Sequence, residues 1–254
     1  MHEGQESFRI DTPNATYYYH RFGAGFASIE DTDGRDWLGY RPGGGSAGEY
    51  RGIPNMGYPE GYCHPGKNES DSVLLSCGPV RVSIRSASRD GNWACRWDIF
   101  PRFARMTVMK TSHLYWFLYE GTPGGRLDPD TDFCIRPGAG GGIRTPASES
   151  WVGDLASHVG FGEWVCFGDG GMVLYLAHHE DDGEIDSYYP MNGEMTVFGF
   201  GRKKLEKYMT RLPARFTLGF CGSDDYDVIS GRVASSYMPV VVTVRSLDGG
   251  VHHE

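Results

Sequence analysis

The sequence predicts an all-β fold, a large antiparallel β-sandwich with one C-terminal helix. Three observations predict it. Short stretches alternate apolar and polar residues along almost the whole chain, punctuated by glycine, proline or aspartate. The 15 tyrosines, 13 phenylalanines and 6 tryptophans favour strands and supply a core. Only one segment, near the C-terminus, repeats apolar residues at helical spacing. No internal repeat or linker divides the chain, and sandwiches of 254 residues occur as single units, so one domain over 1–254 is expected.

The elements follow in order. Residues 15–21 alternate, and 23–29 return after a short turn. Asp31-Thr32-Asp33-Gly34 has the composition of a tight turn before the apolar piece 37–40. Strands are expected at 73–75 and 80–84; in the second, Val80, Val82 and Ile84 face one way and Arg81, Ser83 and Arg85 the other. Asp90-Gly91 turns the chain into 93–100, Pro101 ends that strand, and 104–110 pairs as the next. Segments 113–120, 164–167, 173–178, 194–200 and 215–221 continue the series, with 240–244 as a last edge strand. Ser223 or Asp224 caps the helix, on which Asp225, Val228, Ile229, Val233 and Tyr237 recur. Two segments, 41–66 and 121–150, are rich enough in glycine and proline to be expected irregular.

Composition excludes several functions. The formal charge is −9 and no run of Lys or Arg exists, so no nucleic-acid partner is expected. No apolar run approaches the length of a membrane span. The opening residues MHEGQESFRI have neither the basic nor the apolar part of a signal peptide, which leaves a cytoplasmic chain or a module of a longer secreted one. The cysteines Cys63, Cys77, Cys95, Cys134, Cys166 and Cys221 form no C-x-x-C, so neither a metal nor another cofactor is expected. Cys95 alternates with Trp93 and Trp97, and Cys166 with Trp164, as small core residues do. The even count permits disulfides without pairing them.

Three motifs fail on context. Gly44-Gly45-Ser46-Ala47-Gly48 matches the nucleophile-elbow pattern but lacks a strand before it and a helix after it. Asp128, Asp130 and Asp132 imitate a calcium loop, yet Phe133 stands where glycine is required and Ala139 where glutamate is, so a solvated acidic turn is expected. His178 and His179 are adjacent on a strand and point to opposite faces, so they do not share a metal.

The candidate site starts from the loop 41–66. A long irregular segment dense in chemical groups is more often a binding loop than a linker. Glu49, Arg51, Asn55, Tyr58 and His64 stand in it. Arginine grips a carboxylate bidentately, and asparagine both donates to and accepts from sugar hydroxyls. On 113–120, Trp116 shares a face with Glu120, a carboxylate that closes an apolar row beside the glycine-rich turn 121–125. Such a group suits general acid–base work, and so does an imidazole at a strand end such as His179, close in sequence to Tyr188 and Tyr189. His64, Tyr58, Glu120 and His179 are therefore the candidate catalytic residues, and Arg51, Asn55, Glu49, Trp116 and Tyr188 the candidate binding residues. For each histidine a structural role is the competing reading, and for Glu120 a strand-end ion pair.

The segment YYYHRFGAGFASIEDTDGRDWL (17–38) resembles the opening of galactose-mutarotase-like β-supersandwiches, whose second strand reads G-x-x-S-I-x-D-x-x-G-x-x-W. RFTLGF (215–220) resembles their closing strand. AGEYRGIPNMGYP (47–59), YWFLYEGTPGG (115–125), LAHHEDD (176–182) and MTVFGFGR (195–202) resemble a group of bacterial proteins associated with polysaccharide degradation. The resemblance implies a supersandwich-like fold and an oligo- or polysaccharide partner. Aldose mutarotases carry a late catalytic glutamate on a strand, and neither 215–221 nor 240–244 holds one. Three functions stay open: a lyase acting on a uronate-containing glycan, a non-catalytic carbohydrate-binding module, and a sugar mutarotase or epimerase.

Overall fold

The computed structural model describes residues 1–40, 52–56, 70–138, 140–153, 163–180, 183–203, 206–239, 243–245 and 251–253. Strands are numbered in chain order. One antiparallel sheet runs β1 (Ser7–Asp11), β2 (Thr16–His20), β3 (Gly25–Glu30), β4 (Gly52–Asn55), β9 (Phe117–Gly121), β16 (Met195–Phe200), β15 (Ser187–Met191) and β12 (Trp151–Val152). The other runs β11 (Gly141–Pro146), β10 (Phe133–Gly138), β13 (Glu163–Asp169), β14 (Met172–His178), β19 (Ala214–Cys221), β8 (Ala104–Lys110), β7 (Ala94–Ile99), β6 (Val82–Ser88) and β5 (Ser70–Cys77). Two short hairpins stand apart, β17 (Arg202–Lys203) with β18 (Glu206–Lys207) and β20 (Thr243–Arg245) with β21 (Val251–His253).

The sheets meet on their inner faces, where the alternation of each strand delivers its large apolar residues. Tyr17, Tyr19, Phe26, Tyr119, Phe198 and Phe200 from the first sheet pack on Trp97, Phe167, Leu174 and Phe216 from the second. Phe26 meets Trp97 edge-on at 4.5 Å, and Phe117 stacks on Phe216 at 4.3 Å. Such pairs add about 0.5–1.5 kcal/mol each beyond their buried area. Cys95, Cys134, Cys166 and Cys221 are buried free thiols, and Cys77 is an exposed one.

The Asp31–Trp37 motif proves to be a clamp. Asp31 is buried and accepts from the backbone of Asp33 and Arg35, from Arg35 Nε at 2.9 Å and from Trp37 Nε1 at 2.9 Å. Gly34 turns the chain at φ 78. Arg35 then reaches Asp169 at the β13–β14 turn at 3.0 Å, which ties one sheet to the other.

The helix α1 (Tyr226–Tyr237) lies on the outer face of the second sheet. Its cap is Asp225, whose carboxylate accepts from Val228 N at 3.0 Å, rather than Ser223 or Asp224. Ile229 and Val233 pack on Phe133, Ile135, Trp164, Val173, Tyr175 and Ala177, whereas Val228 is exposed.

Several expectations are corrected. The loop 41–66 contains a strand after all: Gly52 and Asn55 pair with Glu120 and Leu118 of β9 across an irregular register. The segment 121–150 holds the β10–β11 hairpin, closed at Gly138–Gly141, because Phe133, Cys134 and Ile135 provide a buried anchor that overrides the glycine content. Tyr188 and Tyr189 lie in strand β15, for which the sequence predicts no strand. Val73 is exposed on β5, the end strand of its sheet among the described residues, and Val80 is exposed because it lies in the β5–β6 connection rather than in a strand. The described part of 240–244 pairs only with β21.

Candidate functional site

The outer face of the first sheet is built by residues that alternate away from the core. On β9, Phe117 and Tyr119 point inward, so Trp116, Leu118 and Glu120 share the opposite side. Glu120 pairs with Val197 of β16, and Val197 with Tyr189 of β15, which sets Glu120, Val197 and Tyr189 in one row across three strands. Leu118, Gly199 and Ser187 form the next row. Neighbouring strands lie about 4.8 Å apart, so Glu120 and Tyr189 are about 10 Å apart at the backbone.

Gly199 gives this face its distinctive feature. A Cβ at Gly199 would come within 2.4 Å of Leu118 Cδ2 and 2.8 Å of Arg202 Cβ. Glycine there lets the Arg202 side chain lie down on β16. Gly201, at φ 63, makes the turn that sends Arg202 back over the sheet. The Arg202 guanidinium carbon sits 5.6 Å from the Trp116 ring centre and 5.3 Å from that of Tyr189. A cation over two aromatic faces gains about 0.5–2 kcal/mol from each when desolvated, and Arg202 is only 2% exposed. Ser187 Oγ donates to the Arg202 carbonyl at 2.6 Å and fixes the backbone beneath it.

Beside Arg202 a cleft of about 450 Å³ opens at the β12 edge, lined by Trp151, Val152, Ser187, Tyr188, Tyr189 and Arg202. Its size lies within the range of small-ligand sites. The walls are aromatic, and one of its polar groups is a fixed cation. Such a surface fits the C–H face of a pyranose together with an anionic substituent.

The expected site residues fall in several places. Glu120 is buried at the middle of this face, not at an open rim. Trp116 is fully buried under Arg202, so it supports the cation and does not stack on a ligand. Tyr188 lines the cleft, but its body is in the core and its hydroxyl donates to Ala147 O at 2.5 Å. The Asn55 backbone pairs beside Glu120's strand; its side chain lies outside the described residues, as do Glu49, Arg51, Tyr58 and His64.

His179 is the clear correction. It sits on the outer side of the second sheet, not with Glu120. Its Nε2 is 2.7 Å from Thr217 Oγ1 and its ring meets Tyr237 of the helix edge-on at 4.4 Å. Burial lowers its pKa to about 3, helped by Arg105, Arg215 and His178, so the imidazole is neutral at working pH. His178 points the other way, stacked on Phe216 at 4.6 Å.

Among the described residues no group of three or more His, Cys, Asp or Glu is arranged to hold a metal. In the acidic turn, Asp128 and Asp130 are exposed but Asp132 is buried, with Oδ2 accepting from Asp128 N at 2.7 Å. Burial pushes its pKa up to about 7, so the turn is only partly solvated.

Arg202, Gly199 and Trp151 went unassigned in the sequence. Arg202 closes the MTVFGFGR landmark, and the Gly-x-Gly-Arg spacing was the signal that a small residue makes room for a large one.

No family model matches the chain, and no curated protein matches it in sequence. Solved structures do match in shape. The α-N-acetylgalactosaminidase NagBb from Bifidobacterium bifidum aligns at TM-score 0.59 and 12% identity over 90% of this chain, which spans 38% of that enzyme. The crystal structure of HI1317 aligns at TM-score 0.52 and 11% identity, covering 85% of this chain and 92% of that one. A galactose mutarotase-like protein from Lactobacillus casei ATCC 334 aligns at TM-score 0.49 and 10% identity, covering 85% and 99%. At these identities the likeness is one of fold: an antiparallel two-sheet sandwich.

Proposed function

We propose that the chain is a carbohydrate-active protein that binds a uronate-containing glycan in the cleft beside Arg202 and cleaves it by β-elimination. The observation that carries this reading is a buried arginine, held over Trp116 and Tyr189, at the wall of an aromatic cleft. In the reaction the uronate carboxylate is neutralised, which acidifies the C5 proton. A base removes that proton, a C4–C5 double bond forms, the C4–O bond breaks, and the leaving oxygen takes up a proton. Arg202 supplies the neutralising charge. Tyr189, partly exposed beside it, is the described group best placed for the proton transfer. Glu120, buried in the row of Tyr189, lies behind the cleft wall, where its charge bears on the groups that react. The shared fold with a glycosidase is consistent with a sugar ligand.

The test is ultraviolet absorbance of the unsaturated uronate product, followed with polygalacturonate, alginate, glucuronan and ulvan. A rise with wild type that Arg202→Ala abolishes is the expected result. Loss of the arginine should weaken binding by about 2–5 kcal/mol, as for a desolvated charge pair. No rise with any of these polymers would sink the lyase reading.

One observation favours a second reading, a non-catalytic carbohydrate module. The chain spans 38% of the glycosidase it matches in shape. In that case affinity gels should show retardation by the polymer, with its length unchanged and retardation weakened in Arg202→Ala.

A further inference from the structure

The outer face of the second sheet carries a ladder of arginines in a chain whose net charge is −9. The helix covers the β10, β13, β14 and β19 side of that face, and among the described residues no element is packed over the β5–β7 side. On that side Arg85 of β6 stands directly opposite Arg96 of β7. Arg96 in turn pairs with Thr107 of β8, and Thr107 with Arg215 of β19. Like charges placed directly opposite weaken a sheet. A local rule broken without gain to the fold marks a functional place.

Arg81, Arg96 and Arg105 line a groove of about 690 Å³ together with Val80, Phe100 and Pro239, and Arg85 and Arg215 stand outside it on the same face. Among the described residues these five guanidinium groups meet two carboxylates. Asp98 takes Arg96 at 2.8 Å and Arg81 at 3.8 Å, and Glu180 takes Arg215 at 2.6 Å. Among the described residues Arg85 has no carboxylate partner. The Arg105 guanidinium donates to Ser236 O at the end of the helix, and burial and Arg215 lower its pKa. An anion in the groove would relieve that repulsion.

We propose that this groove and the arginine row beside it form a second binding surface, for an anionic polysaccharide chain laid across β6, β7, β8 and β19. The ladder steps by the strand spacing of about 4.8 Å. That step is close to the rise of one residue in an extended pyranose chain, so successive acidic sugars meet successive strands. Pro79, Val80 and Phe100 offer apolar contact for sugar C–H groups. The choice of a glycan rests on the proposed function; the anionic character of the ligand rests on the arginines alone.

The test uses Arg81→Glu/Arg85→Glu at two exposed positions: Glu at 85 gains a pairing with Arg96 while Glu at 81 loses one with Asp98, and a cooperative melt is checked first. Affinity electrophoresis is run in gels with polygalacturonate, with dextran sulfate and with neutral dextran, for wild type, the double variant and Arg202→Ala. Expected is retardation of wild type and of Arg202→Ala by at least one charged polymer, weakened about tenfold or more in the double variant, and none by neutral dextran. The polymer that retards tells carboxylate from sulfate recognition. Equal retardation of the double variant would overturn the proposal, as would no retardation of wild type. Retardation lost only in Arg202→Ala would assign all binding to the first sheet. Equal competition by single-stranded DNA of matched charge would overturn the glycan assignment. Eliminase activity on short uronates that survives in the double variant separates failure of this groove from failure of the cleft.

Discussion

The two outer faces of the sandwich solve the same geometric problem in opposite ways. Each sheet alternates its residues, so each has a side that does not enter the core. The first sheet buries charge on that side: Glu120 and Arg202 are 1% and 2% exposed, and Arg202 rests on aromatic rings. The second sheet leaves its charge wet: Arg81, Arg96 and Arg215 have side chains 50%, 45% and 50% exposed. Buried charge is costly unless held, and it is worth more to a ligand that enters the same low-dielectric place. Exposed charge costs little and attracts over distance with little selectivity. The first face is thus suited to specific recognition and chemistry, and the second to holding.

The comparison breaks most easily at Glu120. Glu120→Gln should lower turnover on the preferred uronate by about 10²-fold or more while the protein still melts cooperatively, as loss of a positioned polar group in a reacting site does. Undiminished turnover would remove this residue from the site. Gly199→Ala comes next. Its Cβ collides with Leu118 and Arg202, so overpacking of about 1–3 kcal/mol should displace the guanidinium and weaken ligand binding more than it lowers the melting temperature. A variant with wild-type affinity would show that Arg202 is not seated by this gap.

The third prediction concerns pH and belongs to the structural side. Burial lowers His179 to about 3 and His20 to about 4, both below the ordinary 6.5. The unfolded chain binds protons there that the folded chain refuses, so stability should fall as pH drops below about 6.5, by at most about 1.4 kcal/mol per pH unit per group. His179→Gln should flatten this limb in denaturant titrations and leave turnover unchanged; lost turnover would return His179 to the catalytic set. The smallest effect is expected at Asp132, whose pKa is raised to about 7. The folded state then holds a proton that the unfolded state releases above its ordinary 3.8, so stability declines as pH rises from about 4 to 7. Asp132→Asn should raise the melting temperature at pH 8 and hardly change it at pH 4. An equal shift at both would discount the titration.

Strands with large inward residues were legible in the sequence, because alternation alone places Trp93, Cys95 and Trp97, or Leu174 and Leu176, on one face. The helix was legible from its period, though its cap lay one residue beyond the two candidates. What alternation does not encode is which strand ends up beside which. That is why β4 was hidden: its glycine and proline hide a pairing partner 68 residues away in the chain, Gly52 with Glu120. The site was half legible for the same reason. Glu120 was found by its strand pattern, and Tyr189 was noticed beside Tyr188. Arg202 needed Gly199, Trp116 and Tyr189 brought together from three strands or turns. His179 looked catalytic because sequence shows a residue type and not the helix that later covers it.

The exposed apolar side chains of β5 have a consequence for handling the protein. Among the described residues this strand has a neighbour on one side only, and Val73, Leu74 and Leu75 on it are 59%, 45% and 53% exposed. An open, apolar edge invites a second molecule to add a strand, and the bulge between Leu74 and Ser76 only partly twists it away. Mutual repulsion between molecules of charge −9 opposes such an addition, and it reaches only about 10 Å at 0.1 M salt. Purified stocks should therefore cloud sooner in high-salt buffers than in dilute ones, and Leu75→Lys should lengthen their shelf life.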